Sequence, residues 1–266
     1  MCLPQPPRLT LLGAHERAEL TAGEVQLWLQ PCADLPASQL QCWHDELEPA
    51  EQAAVAALRF EADRRAYVTA HVLRRIALAQ MLRVRPETLR FGRAKGGRPL
   101  LHGAPANLFF SLSHCRQVAA CAVTRLAPVG VDVEARRPEQ AEWALLQPLI
   151  ALNDEHAAQW RDVDRTRQFY LHWTALEAYW KAMGRGIAEA NSRIAYLTEP
   201  QPCTAPNTTV FTVGPQTGAD KGRRACIFAL EAGPDCAVAV ALACDEAGGA
   251  CASCICSSSK ELSRPS

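Results

Sequence analysis

The chain has 266 residues, 48% hydrophobic and 21% charged, which is enough apolar material for a packed core and excludes wholesale disorder. Its 28 Lys and Arg balance 28 Asp and Glu, against the basic excess of a general nucleic-acid binder. No stretch approaches the roughly 18 apolar residues of a membrane span, and the N-terminus Met-Cys-Leu-Pro-Gln-Pro-Pro-Arg lacks the order of a secretory signal. The expectation is a cytoplasmic protein with neither nucleic acid nor membrane as partner. Twelve cysteines could suggest a disulfide scaffold. Cys121, Cys226, Cys236 and Cys244 stand among apolar residues, however, and in a reducing compartment such thiols act as small buried hydrophobes.

In chain order, residues 1–23 read as a loose lead-in, and Val25–Gln30 (VQLWLQ) alternates as a strand does. After the loop Pro31–Pro36, the Ala-rich run Glu48–Leu58 predicts a helix that tolerates Pro49 in its first turn. The strongest helix runs from Asp63, a candidate cap, to Leu82. Tyr67, Ala70, Leu73, Ala77 and Met81 share one face, and Arg64, Arg65, Arg74, Arg75 and Arg83 fall on the other. The arginine-rich run Arg74–Arg93 reads as a solvated face or as a surface for an acidic partner. Pro86–Phe91 is a short element, and Lys95-Gly-Gly-Arg98-Pro99 is a turn-rich loop. Leu108–Ser113, Val118–Thr124 and Val129–Val133 predict adjacent strands.

The second half predicts helices over Glu139–Ile150, Asn153–Arg161 and Arg165–Met183, and strands over Thr209–Val213, Ala225–Glu231 and Cys236–Cys244. Each half thus sets a long helix beside a small sheet. The expected fold is α/β (α+β), with pseudo-duplicated lobes over 24–126 and 127–246 and a site in the cleft between them. The Gly/Ser/Cys-rich tail 247–266 is expected to be disordered. Its Cys251, Cys254 and Cys256 fall one ligand short of a tetrahedral zinc site.

Two stretches carry candidate chemistry. In Val129-Gly-Val-Asp132-Val-Glu134, positions 132 and 134 share a strand face, so two carboxylates stand side by side. Carboxylates that close repel unless a cation or proton sits between them. They suit Mg²⁺, which takes one or two carboxylates plus substrate phosphates; they equally suit a strand end turning into solvent. In Trp173-Thr-Ala-Leu176-Glu177-Ala-Tyr-Trp-Lys181, positions 173, 177 and 181 share a helix face. Glu177 and Lys181 are either a solvated pair or, beside the bulky Tyr179 and Trp180, partly buried charges that need partners.

Together these stretches resemble the signature of the 4′-phosphopantetheinyl transferase superfamily, in its two-lobe, monomeric, surfactin-synthetase-activating subclass. The resemblance extends to Lys95-Gly-Gly-Arg98-Pro99, to Phe110-Ser-Leu-Ser113-His114, and to Arg59-Phe60 followed by Asp63-Arg64-Arg65. It covers roughly residues 24–245 with its parts in the family's order.

The resemblance implies transfer of 4′-phosphopantetheine from coenzyme A to a serine of an acyl or peptidyl carrier protein, with Mg²⁺ required and adenosine 3′,5′-bisphosphate released. It implies Asp132, Glu134 and Glu177 as metal ligands, and Glu177 and Lys181 as catalytic residues. It implies Arg59, Arg64, Arg65, Lys95, Arg98, Ser113, His114, Asp132 and Lys181 as contacts to coenzyme A. Read locally, His114 also suits a core histidine, and Arg64 and Arg65 suit surface pairing with Glu61 or Asp63.

Two positions depart from the family pattern: Leu176 stands where a lysine is usual, and Ala66 where many members carry arginine. Leu176→Lys would either strengthen cofactor binding or bury an unpaired ammonium. The rival readings are a non-catalytic homologue that binds coenzyme A or a carrier protein, and a Mg²⁺-dependent phosphohydrolase.

Overall fold

Four layers stack in the order helix, sheet, sheet, helix. In this computed structural model the residues described are 8–13, 23–33, 35–94, 98–138, 150–151, 164–184, 194–196, 201–202, 208–215, 223–232, 235–244 and 255–256. The first sheet holds β1 (Arg8–Gly13), β2 (Glu24–Pro31), β5 (Phe109–His114) and β6 (Val118–Thr124), with β14 (Ile255–Cys256) at its edge, in the order β14-β1-β2-β6-β5. β2, β6 and β5 pair antiparallel, while β1 lies parallel to both β2 and β14. Helices α1 (Ala37–Asp45), α2 (Pro49–Ala57) and α3 (Glu61–Leu82) follow β2. A 3₁₀ turn at Pro86–Thr88 and the hairpin β3 (Phe91–Arg93) and β4 (Pro99–Leu101) then lead to β5.

The second sheet begins with β7 (Val129–Ala135), next to β13 (Cys236–Cys244) and then β12 (Arg224–Glu231) and β11 (Thr208–Pro215), all antiparallel. The short β8 (Ile150–Ala151), β9 (Ile194–Tyr196) and β10 (Gln201–Pro202) extend its far side. Helix α4 (Arg165–Ala182) covers its outer face, and Asp164 caps it by accepting from the Thr166 and Arg167 N–H groups at 2.9 and 3.3 Å.

Side-chain alternation explains the stacking. In β2, Trp28 packs with α3, while Val25, Leu27 and Leu29 meet the second sheet. In β6, Ala119, Cys121 and Val123 face α3, and Val118, Ala120 and Ala122 face the second sheet. β13 turns Val238, Val240 and Leu242 toward the first sheet and Ala237, Ala239 and Ala241 toward α4. Strands covered on both faces read as continuous apolar runs. The alanine face lets α4 approach closely.

Several expectations are corrected. The lead-in contains β1, residues 255–256 of the tail pair with it, and α1 joins the predicted elements. Phe60, not Asp63, is the N-cap of α3; Asp63 lies in its first turn. Arg74 and Arg75 form no solvated face: they are only 2% and 1% exposed. Each donates at 2.5 Å to a different oxygen of Glu51 on α2, and both guanidinium groups lie over the Phe91 ring, at 3.6 and 4.9 Å. His71 Nδ1 is 2.7 Å from the same carboxylate. The predicted helices over 139–149 and 153–161 lie outside the described residues, and Ile150 belongs to β8. Among the described residues no helix is long and apolar enough to cross a membrane.

Candidate active site

β5 and β7 meet where the two sheets stack, and the alternation of β5 decides what it offers there. Phe110 and Leu112 point to the α3 core, so Ser111 and Ser113 point to β7. Ser111 Oγ accepts the Val131 N–H at 3.0 Å, and Ser113 Oγ donates to Asp132 Oδ1 at 2.9 Å. From the other side Lys181 on α4 reaches in. Its Nζ donates to Asp132 Oδ1 at 2.6 Å, and to Ser113 Oγ and Val131 O at 3.2 Å each. Three elements therefore converge on one carboxylate.

Gly130 sets how close α4 comes. A Cβ there would lie 2.0 Å from the Ala178 carbonyl oxygen and 2.6 Å from the Ala182 nitrogen. Only glycine allows the helix backbone to rest on the strand at this point. The contact lies between the helix positions that flank Lys181, so it fixes the height of the ammonium over Asp132.

The carboxylates feel one another. Asp132 is 4% exposed, and its Oδ2 is buried without a hydrogen-bond partner. Burial, with Asp132 beside it, pushes Glu134 up to about 7. Burial and the Asp132 charge also raise Glu177, against the pull of Lys181. An orphaned buried oxygen beside two destabilised carboxylates is a hard-oxygen donor set that suits a divalent cation. Among the described residues no three His, Cys, Asp or Glu side chains gather closely enough to ligate one ion between them. That arrangement still fits Mg²⁺, which keeps waters and takes substrate phosphates rather than demanding a full protein cage.

Next to this cluster opens a cavity of about 370 Å³, whose walls include Ala66, Tyr67, His114, Arg116, Glu134 and Arg137. The neighbouring protein thins the hydration of His114 at the end of β5 and, with the Lys181 ammonium, lowers its pKa. A neutral ring there can donate from one nitrogen. Arg116 holds Asp63 through Nε at 2.7 Å and a second nitrogen at 3.2 Å. The Tyr170 hydroxyl donates to the Arg137 carbonyl at 3.2 Å, steadying that stretch of wall. Cys115 also lines the cavity.

The structure thus brings together Ser113, His114, Asp132, Glu134, Glu177 and Lys181 from the predicted set. It turns Arg64 and Arg65 elsewhere: Arg64 donates to Leu58 O at 2.7 Å and pairs with Glu61, and Arg65 donates to Leu35 O at 2.7 Å. Arg59 is exposed, its guanidinium 5.2 Å from the Phe60 ring. Arg98 is half-buried beside β4, away from the cavity walls, and Lys95 lies outside the described residues. Leu176 is fully buried in the α4 core, so the departing position faces the protein interior rather than the cavity. Tyr67, Arg116 and Arg137 escaped the sequence reading. Arg116, two residues past His114 in the β5–β6 corner, was the one with a local signal.

The chain matches two family models over most of this framework. Residues 35–125 match the N-terminal region of 4′-phosphopantetheinyl transferase, and residues 128–228 match the 4′-phosphopantetheinyl transferase superfamily. It is 32% identical over 219 residues to the 4′-phosphopantetheinyl transferase HetI of Nostoc sp., covering 80% of this chain and 88% of that one. It is 26% identical over 166 residues to a phosphopantetheinyl transferase of Thraustochytrium sp., covering 58% of each chain. To the L-aminoadipate-semialdehyde dehydrogenase-phosphopantetheinyl transferase of Mus musculus it is 23% identical over 175 residues, 58% of this chain and 53% of the relative. Ser113, Asp132 and Lys181, which meet at the seam between the sheets, all fall within the matched regions, and the chain belongs to the 4′-phosphopantetheinyl transferase superfamily.

Proposed function

We propose that the chain transfers the 4′-phosphopantetheine group from coenzyme A to a serine hydroxyl of an acyl or peptidyl carrier protein and releases adenosine 3′,5′-bisphosphate. The observation that carries this reading is the convergence of Ser113, Lys181 and the orphaned Asp132 oxygen at the edge of a cavity walled by His114, Arg116 and Arg137. Such a site offers cationic donors to phosphates and carboxylates to a divalent ion. The names of the relatives support the same activity.

Asp132, Glu134 and Glu177 would supply carboxylates to Mg²⁺, some of them through waters that the ion keeps, and the ion when bound would supply positive charge to the pyrophosphate. Lys181 donates to a phosphate oxygen and offsets the charge that builds there. Glu177, its pKa raised, is the stronger base for it and accepts the proton of the carrier serine. His114, at the cavity wall, donates to the 3′-phosphate side of coenzyme A with Ser113 beside it, and the family resemblance is what makes Arg98 and Lys95 candidate contacts to the same group. Arg59, Arg64 and Arg65 take no direct part in this reading, because Arg64 and Arg65 are committed to backbone carbonyls. The lobes divide at about residue 126, between the two sheets. The same reading makes the chain a cytoplasmic monomer, which free thiols such as Cys32 and Cys121 suit.

The test compares wild type with Asp132→Ala over a range of Mg²⁺ concentrations, following the loading of an apo carrier protein. Asp132→Ala abolishes transfer and lowers the melting temperature, because Lys181 and Ser113 lose their shared partner, an effect that relief of the repulsion on Glu134 and Glu177 offsets only in part. Near-normal turnover of this variant at low Mg²⁺ would overturn the metal assignment.

A further inference from the structure

The buried cluster around Glu51 has no task in the chemistry above, yet it reaches the cavity through a row of rings. Glu51 Oε1 accepts from Arg74 at 2.5 Å and lies 2.7 Å from His71 Nδ1. Its Oε2 accepts from Arg75 at 2.5 Å and from the Glu48 N–H at 3.0 Å. Four groups on α2 and α3 thus fix both oxygens, and the carboxylate cannot turn. A carboxylate oxygen only accepts, so the proton between it and His71 sits on Nδ1. The imidazole is therefore tied at one edge to an immobile anchor.

One turn back along α3, the Tyr67 ring stacks on His71, with centroids 3.9 Å apart and planes 17° from parallel. The spacing i, i+4 places the two side chains on the same helix face. Tyr67 in turn meets His114 at the end of β5 edge to face, at 6.3 Å and 66°. Tyr67 and His114 both line the cavity. Three rings therefore run from the anchored carboxylate to the wall of the site, and the last of them crosses from α3 to β5.

We propose that His71 is a positioning residue for coenzyme A: pinned by Glu51, it is the platform that holds Tyr67, and Tyr67 sets the orientation of the His114 ring at the cavity wall. The proposal rests on the reading of His114 as a coenzyme A contact. A binding group works best when packing and hydrogen bonds behind it lock its rotamer. Here the lock is built from stacking on one side and a doubly paired carboxylate on the other. His71 acts only through Tyr67 and His114, so its loss should weaken the binding of coenzyme A and leave the reacting groups Asp132, Glu177 and Lys181 in place.

Three variants of the full chain test this. His71→Ala removes the platform. His71→Gln keeps a donor toward Glu51, and so the buried cluster, but offers Tyr67 no flat face; it serves where His71→Ala does not fold. His71→Phe restores the face without the donor. The first readout is the imidazole C–H resonances of His114 in the protein without coenzyme A, identified by their absence from His114→Gln. They should shift in His71→Ala and His71→Gln and return toward wild type in His71→Phe. The second readout is carrier loading. KM for coenzyme A should rise about 3- to 10-fold in the first two variants, the scale of one hydrogen bond, with kcat near wild type, and His71→Phe should recover most of the loss. Wild-type His114 resonances in His71→Gln, or a His71→Phe that behaves like His71→Gln, would overturn the proposal, as would a fall in kcat at unchanged KM. Resonances that shift and recover while KM stays flat would support the positioning of His114 and refute its role as a coenzyme A contact.

Discussion

Adding one methyl group at Gly130 should damage both stability and catalysis. In Gly130→Ala the new Cβ would meet the Ala178 carbonyl oxygen at 2.0 Å, where ordinary contact begins at 3.4 Å. The strand and helix must therefore separate by about 1.4 Å, or tilt by an equivalent amount. Both are backbone, so no side chain can swing aside. Overpacking of this kind costs about 1–3 kcal/mol, which in a chain of this size lowers Tm by roughly 2–10 °C. The same shift lifts Lys181, whose ammonium now lies 2.6 Å from Asp132. A misplacement on the order of 1 Å can cost about 100-fold in rate, so turnover should fall by about two orders of magnitude. Thermal melts and carrier-loading rates of the purified variant measure both. A variant with wild-type Tm and wild-type turnover would refute the claim that the Gly130 contact positions α4 over the site.

Leu176→Lys, which restores the lysine usual in the family, should destabilise the protein by about 3–5 kcal/mol, because the position is fully buried and offers the ammonium no partner. Calorimetric titration should find no gain in coenzyme A affinity; tighter binding at unchanged Tm would contradict the buried assignment. The His71–Glu51–Arg74–Arg75 cluster makes stability fall in acid. Burial lowers His71 to about 4 in the fold, so its contribution is complete above the unfolded value near 6.5 and is lost as pH falls through about 4. The loss amounts to at most about 3 kcal/mol. His71→Gln keeps a donor toward Glu51 but does not titrate, and should flatten that part of the pH–Tm curve; an unchanged curve would mean that another group governs it.

How far the sequence led depends on whether each feature is local. β6 and β13 were legible because strands buried on both faces run apolar along their whole length. The division of β13 into valines facing one layer and alanines facing the other became meaningful only once the layers were known. The shared face of Trp173, Glu177 and Lys181 is real: all three stay half-exposed while Leu176 and Trp180 between them are buried. That Lys181 binds Asp132 and Ser113 rather than Glu177 was not legible, because it depends on the stacking of two sheets.

Arg74 and Arg75 were misread for the same reason. Face counting sends charge outward, and their partner Glu51 lies more than 20 positions earlier, on another helix. Arg64 and Arg65 stand where the resemblance put them, but the nearby carbonyls of Leu58 and Leu35 take their donors. β1 went unseen because six residues of RLTLLG become a strand only by lying parallel to β2.

The most direct test of the account is the intact mass of an apo carrier protein after incubation with the chain, coenzyme A and Mg²⁺. The account predicts that the carrier gains one phosphopantetheine group, that adenosine 3′,5′-bisphosphate appears in equal amount, and that a carrier with its acceptor serine changed to alanine gains nothing. Phosphate or pantetheine phosphate released while the carrier keeps its original mass would contradict it.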